Sequence, residues 1–378
     1  MSSHRDRKKP VPVALLGSRG IPARYGGFET VVETLAVNLP KDRFSVTVFC
    51  ESALRRTRLN VPGVNTIYFP VFEKLRIVSE AFYDVVGLAW AALASVEAVI
   101  LFGYTASLFC LLPRLFGKTV LVNVDGLEWK RSKFPRPIRL LLRLAELIVT
   151  KTASLIICDS HAIQEYYRRM YDADSEYVPN PVSSIDTTTL DRLAEFGLQP
   201  RSYYLVVARL EPENHIDMII EGFLESGTTR KLVIVGPLIN TRYVKRLLEM
   251  RTDHILFLDG VYDRALLNSL RAGSFAYIHG HEVGGTNPSL LESMISASPI
   301  IAFDVPFNRE VAGDSGVYFK NRSELSQRII RAERDLEWRR SSGRRANAIA
   351  SSSYSTESAV SSYARVIDAA LNQGSKYR

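Results

Sequence analysis

Beginning at residue 11, short β-branched apolar runs alternate with longer stretches whose apolar residues recur at helical spacing. In the first half the runs are VPVALLG (11–17), FSVTVFC (44–50), NTIYFP (65–70), AVILFG (98–103), KTVLVNV (118–124) and SLIICDS (154–160). Helical patterns cover 28–39, 79–96, 105–116, 137–152 and 161–171. The stretch YVPNPVSSID (177–186), with a proline on either side of Asn180, interrupts the rhythm as a linker does. It restarts with YYLVVAR (203–209), KLVIVG (231–236), HILFLDG (254–260), SFAYIHG (274–280), PIIAFD (299–304) and GVYF (316–319), and after residue 322 the chain is helical and charged. Strands that are apolar throughout, separated by helices, predict parallel sheets covered on both faces. The fold class is therefore α/β: two successive doubly wound units, with a crevice where the carboxyl ends of both sheets meet. The domains are drawn at 1–182 and 183–354. A last helix within 355–378, which Ser355 can cap, has apolar spacing suited to packing on a neighbouring domain.

Bulk properties narrow the class. The chain has 378 residues, 46% hydrophobic and 23% charged, as in a globular protein of two ordinary domains. Cys50, Cys110 and Cys158 lie far apart without metal or redox spacing and read as reduced thiols of a cytosolic protein. The polar, basic start MSSHRDRKKP is not a secretory signal, and the apolar region 85–116 is broken by Glu97, Gly103, Pro113 and Arg114 before it reaches the ~20 residues of a membrane span. Of the formal charge of +8, residues 1–182 carry +7, from 24 basic against 17 acidic residues. Eight cations fall within 114–143, beside an apolar helical stripe of Ile138, Leu141, Leu142, Ala145 and Ile148. That combination suits either an anionic bilayer at the inner face of the plasma membrane or a phosphorylated ligand; a helix packing its stripe on the core is the plainer alternative. Nucleic acid fits poorly, because no binding motif is present and the aromatics do not interleave with the charges.

Two glycine-containing loops carry the candidate chemistry. The first, HGHEVGGTNPSLLESM (279–294), sets Gly284 and Gly285 before a helix opened by Thr286, Asn287, Pro288, Ser289 and Leu290. Glycines allow close backbone approach, and first-turn N–H groups with the helix dipole behind them favour an anion such as phosphate. Glu292, further into that helix, could accept hydrogen bonds from ribose hydroxyls, and Arg209, at the end of a strand on the same rim, could neutralise a diphosphate. The second loop, GSRGIPARYGGFET (17–30), offers Gly17, Arg19, Gly20, Arg24, Tyr25, Gly26 and Gly27, but neither G-x-G-x-x-G nor G-K-[ST], so it supports neither a nicotinamide cofactor nor a P-loop. His279 and His281 alternate along a strand end without a third ligand, which argues for a hydrogen-bonding histidine rather than a metal site. Asp125, in VDGLEW with Glu128, is either a base or acceptor-positioning group or simply a turn residue before Gly126. No hydrolase signature is visible.

The stretches GSRGIPARYGGFET, NVDGLEWKRSKF, VARLEPEN and HGHEVGGTNPSLLESM together resemble bacterial glycosyltransferase family 4, in detail its rhamnosyltransferase-type subgroup with a DUF1972-like N-terminal domain. The resemblance spans nearly the whole chain. It implies a GT-B fold, two Rossmann-like domains facing each other across a cleft, with the acceptor on the first, the nucleotide-sugar donor mostly on the second, and a C-terminal helix crossing back to the first. It implies a retaining transferase moving a sugar, rhamnose from dTDP-rhamnose, onto a lipid-linked or polysaccharide acceptor, with no cofactor and no metal requirement. Carried over by position, Arg209 is the diphosphate-binding arginine, Glu292 the ribose-binding glutamate, and the backbone near Val261 meets the base. Two positions depart from the pattern: Asn214 replaces a lysine and Gly284 a glutamate, leaving His281 or Glu282 to serve at the sugar. A nucleotide-sugar epimerase and a non-catalytic nucleotide-sugar-binding subunit are the competing readings.

Overall fold

Two parallel sheets organise the computed structural model, which describes residues 9–23, 26–57, 60–70, 76–131, 134–183 and 190–374. The chain divides into two compact units. The first takes the described residues of 1–129, 136–181 and 357–378; the second takes those of 130–135 and 182–356.

The first unit runs β1 (Val11–Leu16), α1 (Gly27–Asn38), β2 (Phe44–Glu51), β3 (Val64–Phe69), α2 (Arg76–Leu93), β4 (Ala98–Phe102), α3 (Leu111–Leu115), β5 (Thr119–Asn123), α4 (Arg136–Thr152), β6 (Leu155–Cys158), α5 (His161–Tyr171) and β7 (Glu176–Tyr177). Its sheet order is β3-β2-β1-β4-β5-β6-β7. Central strand β1 contains Pro12, which a sheet interior seldom tolerates. Val11 N–H donates to Arg43 on the β2 side, so the Pro12 nitrogen faces the β4 side, where pairing starts only at Val13↔Ala98. The six strands expected from the first half are all present. β7 was not expected.

In the second unit β8 (Tyr203–Val207), α6 (Ile216–Glu225), β9 (Lys231–Val235), α7 (Arg242–Glu249), β10 (Ile255–Leu258), α8 (Arg264–Gly273), β11 (Ala276–His279), α9 (Pro288–Ile295), β12 (Ile300–Phe303), α10 (Pro306–Ala312) and β13 (Gly316–Phe319) follow in turn, then α11 (Arg322–Arg334) and α12 (Leu336–Ser353). The sheet order is β10-β9-β8-β11-β12-β13. Alternate residues of one strand feed opposite layers: Tyr203 and Leu205 enter one apolar cluster, Tyr204 and Val206 the other. Thr241, Asp263, Asn287, Asn321 and Asp335 cap the helices they precede through side-chain oxygens.

The final helix, α13 (Thr356–Gly374), belongs to the first unit and places Val360, Tyr363, Val366 and Ile367 in its core. Each such apolar side chain contributes roughly 1.5–3 kcal/mol by burial. The Asn123 amide donates to the Tyr363 hydroxyl at 2.7 Å, so the polar atoms buried with the helix are matched. Ser355, expected as its cap, forms an isolated parallel bridge with Val182.

Candidate functional site

In the second unit the strand order changes direction between β8 and β11, which pair through Ala276↔Tyr204 and Tyr277↔Leu205. Loops leaving these two carboxyl ends diverge, and the opening between them is where open α/β sheets receive ligands. Arg209 lies two residues past β8, and residues 280–287 carry the chain from β11 to α9. Fold topology thus brings Arg209, His281, Glu282, Gly284, Gly285 and Thr286 to one edge, with Glu292 inside α9. Val261 leaves β10 at the same edge, because every paired strand is parallel.

The donors in this loop differ from the expected ones. Pro288 has no N–H, the Ser289 N–H goes to Asn287 Oδ1 at 2.9 Å, and those of Leu290 and Leu291 go to the Asn287 carbonyl at 3.1 and 3.2 Å. The N–H groups of Ser289, Leu290 and Leu291 are thus engaged within the helix start itself. The Ser289 hydroxyl donates to the Val207 carbonyl at 2.9 Å, and Leu290 is wholly buried. The open donors lie just upstream. Gly284 and Gly285 are buried, and among the described residues their N–H groups have no acceptor. Gly284 holds φ +137°, in the region that favours glycine, and a Cβ there would stand 3.1 Å from His281 Nε2.

Around Arg209, Asn214 works at both ends. Its Nδ2 donates to the Arg209 carbonyl at 2.8 Å, and its Oδ1 lies 2.8 Å from His281 Nδ1. A carbonyl only accepts, which fixes the amide orientation; Oδ1 then accepts from Nδ1–H, leaving Nε2 with its lone pair toward Gly284. Burial, with His279, Arg131 and Arg209 adding repulsion, holds the His281 pKa well below the ordinary value, so the ring is neutral. Burial alone pushes His279 down to about 3. The Arg209 guanidinium is 39% exposed and pairs with Glu211 at 3.6 Å. Glu282 is engaged by His215 Nε2 at 3.0 Å.

Glu292 forms an ion pair with Arg271, whose side chain is 2% exposed against 35% for the glutamate. The arginine contacts one carboxylate oxygen, Oε2. Arg271 and His215 were not among the sequence candidates, and Arg131 entered only as one of the eight cations within 114–143. Arg271 lies in the last turn of α8, where a cation reads as ordinary compensation of the helix dipole, and nothing in its spacing points to Glu292.

The first unit changes direction between β1 and β4, and the loop from Gly17 leaves β1 there. Its glycines answer to packing. A Cβ at Gly17, φ +83°, would fall 2.2 Å from the Phe102 carbonyl oxygen; at Gly20, φ +100°, it would fall 2.5 Å from Cys50 Sγ. Gly26 and Gly27 start α1, with the Gly26 carbonyl accepting from Thr30. Arg19 sits 4.0 Å from Glu29 and 3.7 Å from Glu51, so carboxylates of its own unit already balance its charge. Tyr25 and Arg24 lie outside the described residues. Asp125 has φ +50°, with its N–H donating to Asn123 Oδ1 at 3.2 Å, so its backbone makes the turn before Gly126.

Residues 11–180 match the family model described as "Domain of unknown function (DUF1972)", and residues 194–348 match "Glycosyl transferases group 1". Comparison with curated protein sequences gives no match. Among solved structures, sucrose-phosphate synthase from Thermosynechococcus elongatus superposes with a TM-score of 0.78 at 16% identity, over 96% of this chain and 100% of that one. HepE from Anabaena, solved with UDP-glucose, gives 0.73 at 16% identity over 95% and 99%. A glycosyltransferase from Rickettsia africae gives 0.73 at 13% identity over 96% and 99%. At these identities the likeness is one of fold, and the fold is the GT-B class expected from the sequence.

Proposed function

We propose that the DUF1972 domain and the glycosyl transferases group 1 domain of this chain together form a retaining glycosyltransferase, with the donor diphosphate held by the second. One observation carries the reading. Two buried glycine N–H groups without acceptors and a half-exposed arginine sit on the two loops that diverge at the sheet's switch point. Cleavage of the sugar–phosphate bond leaves charge on the departing diphosphate, and fixed donors aimed at that charge stabilise the transition state more than the ground state. Arg209 and the Gly284 and Gly285 N–H groups are those donors, Glu292 Oε1 accepts from the ribose, and neutral His281 meets a sugar hydroxyl through Nε2. The acceptor hydroxyl attacks on the face the diphosphate leaves, and its proton passes to the leaving group or to solvent. Asp125 and the Gly17–Gly27 loop belong to the acceptor side, and the backbone at Val261 to the donor base.

The finer assignment, rhamnose from dTDP-rhamnose onto a lipid-linked or polysaccharide acceptor at the cytoplasmic membrane face, without a metal, rests on the motif resemblance. HepE, of the same fold, was solved with UDP-glucose, so uridine donors belong in the same screen. The test is a thermal-shift series with dTDP-, UDP- and GDP-sugars, since a ligand bound to the folded state raises its stability by mass action. Turnover of the best donor with and without a lipid-linked acceptor follows. Acceptor-dependent release of nucleoside diphosphate with the anomeric configuration kept is expected. Isomerised sugar alone would make the protein an epimerase, and binding without turnover a donor-binding subunit.

A further inference from the structure

Helix α4 is apolar on the side it presents to solvent. Leu140, Leu144 and Leu147, at i, i+4 and i+7, are 71%, 51% and 44% exposed, and Leu141 beside them is 60% exposed. The opposite side, with Leu142, Val149 and Thr152, is buried. Of the stripe read from the sequence, Leu142 is buried, Ile138, Ala145 and Ile148 are half-buried and Leu141 is exposed, while the stripe of Leu140, Leu144 and Leu147 faces out. Leu115 and Phe116, at the end of α3, are 80% and 57% exposed, and Arg114 beside them donates from Nη1 to the Thr152 carbonyl at the C-terminal end of α4 at 3.0 Å. An exposed apolar surface of this extent on a folded domain marks an interaction site.

Charge identifies the occupant. Arg136, Arg143 and Lys151 are exposed on the same side as the leucines by helical spacing, and the one acid of α4, Glu146, is fully buried. The face offers apolar side chains and positive charge with no exposed carboxylate on the helix. A second copy of the chain would set these cations against their own equivalents; a surface of anionic headgroups over acyl chains meets both features at once. Among the described residues no helix is long and apolar enough to cross a membrane. We infer that α4 and the adjoining Leu115–Phe116 turn dock the first unit onto an anionic phospholipid surface.

The test is cosedimentation of the full chain with vesicles of phosphatidylcholine alone or with phosphatidylglycerol added. Binding to the anionic vesicles is expected to exceed binding to neutral ones by about tenfold or more, and to weaken with salt. The combined Leu140→Ser, Leu144→Ser, Leu147→Ser variant, altered only at exposed positions, is expected to keep its melting temperature and lose about tenfold or more in vesicle affinity. Arg136→Gln with Arg143→Gln is expected to lose about fivefold per cation on anionic vesicles alone. Absence of wild-type binding to anionic vesicles, or serine-variant binding equal to wild type, overturns the inference. So does a dimer in light scattering that the serine variant dissociates, since that makes the face a self-interface. Donor binding in the serine variant stays at the wild-type level, which keeps failure here distinct from failure of the donor-site reading.

Discussion

Replacing Glu292 with glutamine tests the site through stability before any substrate is added. Its partner Arg271 is 2% exposed and has little water to turn to. Breaking a fully buried ion pair from one side costs about 3–5 kcal/mol, since it strands the other charge. Glu292 is 35% exposed, so solvent already screens part of the attraction. Glutamine also keeps a carbonyl oxygen for the guanidinium, a neutral hydrogen bond of about 1 kcal/mol net. The expected loss for Glu292→Gln is therefore about 2 kcal/mol, read as a lower urea midpoint at unchanged slope.

The reverse substitution, Arg271→Met, removes the buried charge and leaves the more exposed partner to water, so it should cost less, about 1 kcal/mol. The order of the two values is the decisive readout. If Glu292→Gln costs less than Arg271→Met, Arg271 is not a stranded cation and Glu292 is not held in place by it. Donor affinity in Glu292→Gln is expected to fall by about tenfold, the share of a charge-assisted hydrogen bond, and to fall further for a ribose donor than for a deoxythymidine one, which lacks one hydroxyl.

Three further expectations follow from the same geometry. Gly284→Ala, which must leave φ +137° and crowd His281, should weaken donor binding by about tenfold while the melting temperature moves little; Gly17→Ala, driven into the Phe102 carbonyl, should instead lose about 2–3 kcal/mol of stability, and calorimetry with donor titration separates the two. His279, held near 3, and His281, held well below its ordinary value, take up protons more readily when unfolded, so stability should be complete above about pH 6.5. It should fall as pH drops toward the folded value, by up to ~1.4 kcal/mol per unit per histidine in urea titrations; a flat profile would mean the rings are not buried neutral. Asn214→Lys, which would restore the lysine of the resembling family, should lower stability by about 1–3 kcal/mol and fail to raise kcat, because it removes the acceptor of His281 Nδ1–H.

Long apolar strands made the fold readable, and each of the twelve expected runs became a strand. What stayed hidden was short or doubly patterned. β7 has two half-buried residues, too few to show a period. The helical pattern over 105–116 became a 3-10 turn at Ser107–Cys110 followed by the five-residue α3, with Pro113 in its first turn, where a missing N–H breaks no ladder. In α4 two leucine stripes overlap, and the sequence does not say which one faces in. The glycine loops were legible as turns, but whether a glycine serves a ligand or a neighbouring strand depends on what a Cβ would meet. Phe102 and Cys50 answer that for Gly17 and Gly20. The Arg271–Glu292 pair joins residues 21 positions apart on different helices, a proximity that only packing creates.

The absent lysine at position 214 becomes intelligible in the same terms. The loop after β8 already holds Arg209, and Arg131 lies close enough to disfavour a proton on His281. Arg131 belongs to the segment 130–135 that joins the second unit, so a cation from the first half of the sequence adds to the positive field here. A lysine would bring a further charge against a buried ring that is stable only when neutral, and would offer donors where His281 needs an acceptor. Asparagine supplies one of each: its amide fixes the Arg209 backbone and its carbonyl fixes the His281 tautomer. On this reading the charge that would have come from the lysine is exchanged for orientation, with Arg209 and two glycine N–H groups left to meet the diphosphate. Asn214→Asp is then the discriminating change, since it keeps the acceptor, loses the donor to the Arg209 carbonyl, and adds a carboxylate that raises the His281 pKa. If its pH–rate profile matches that of the wild type, His281 takes no part in turnover.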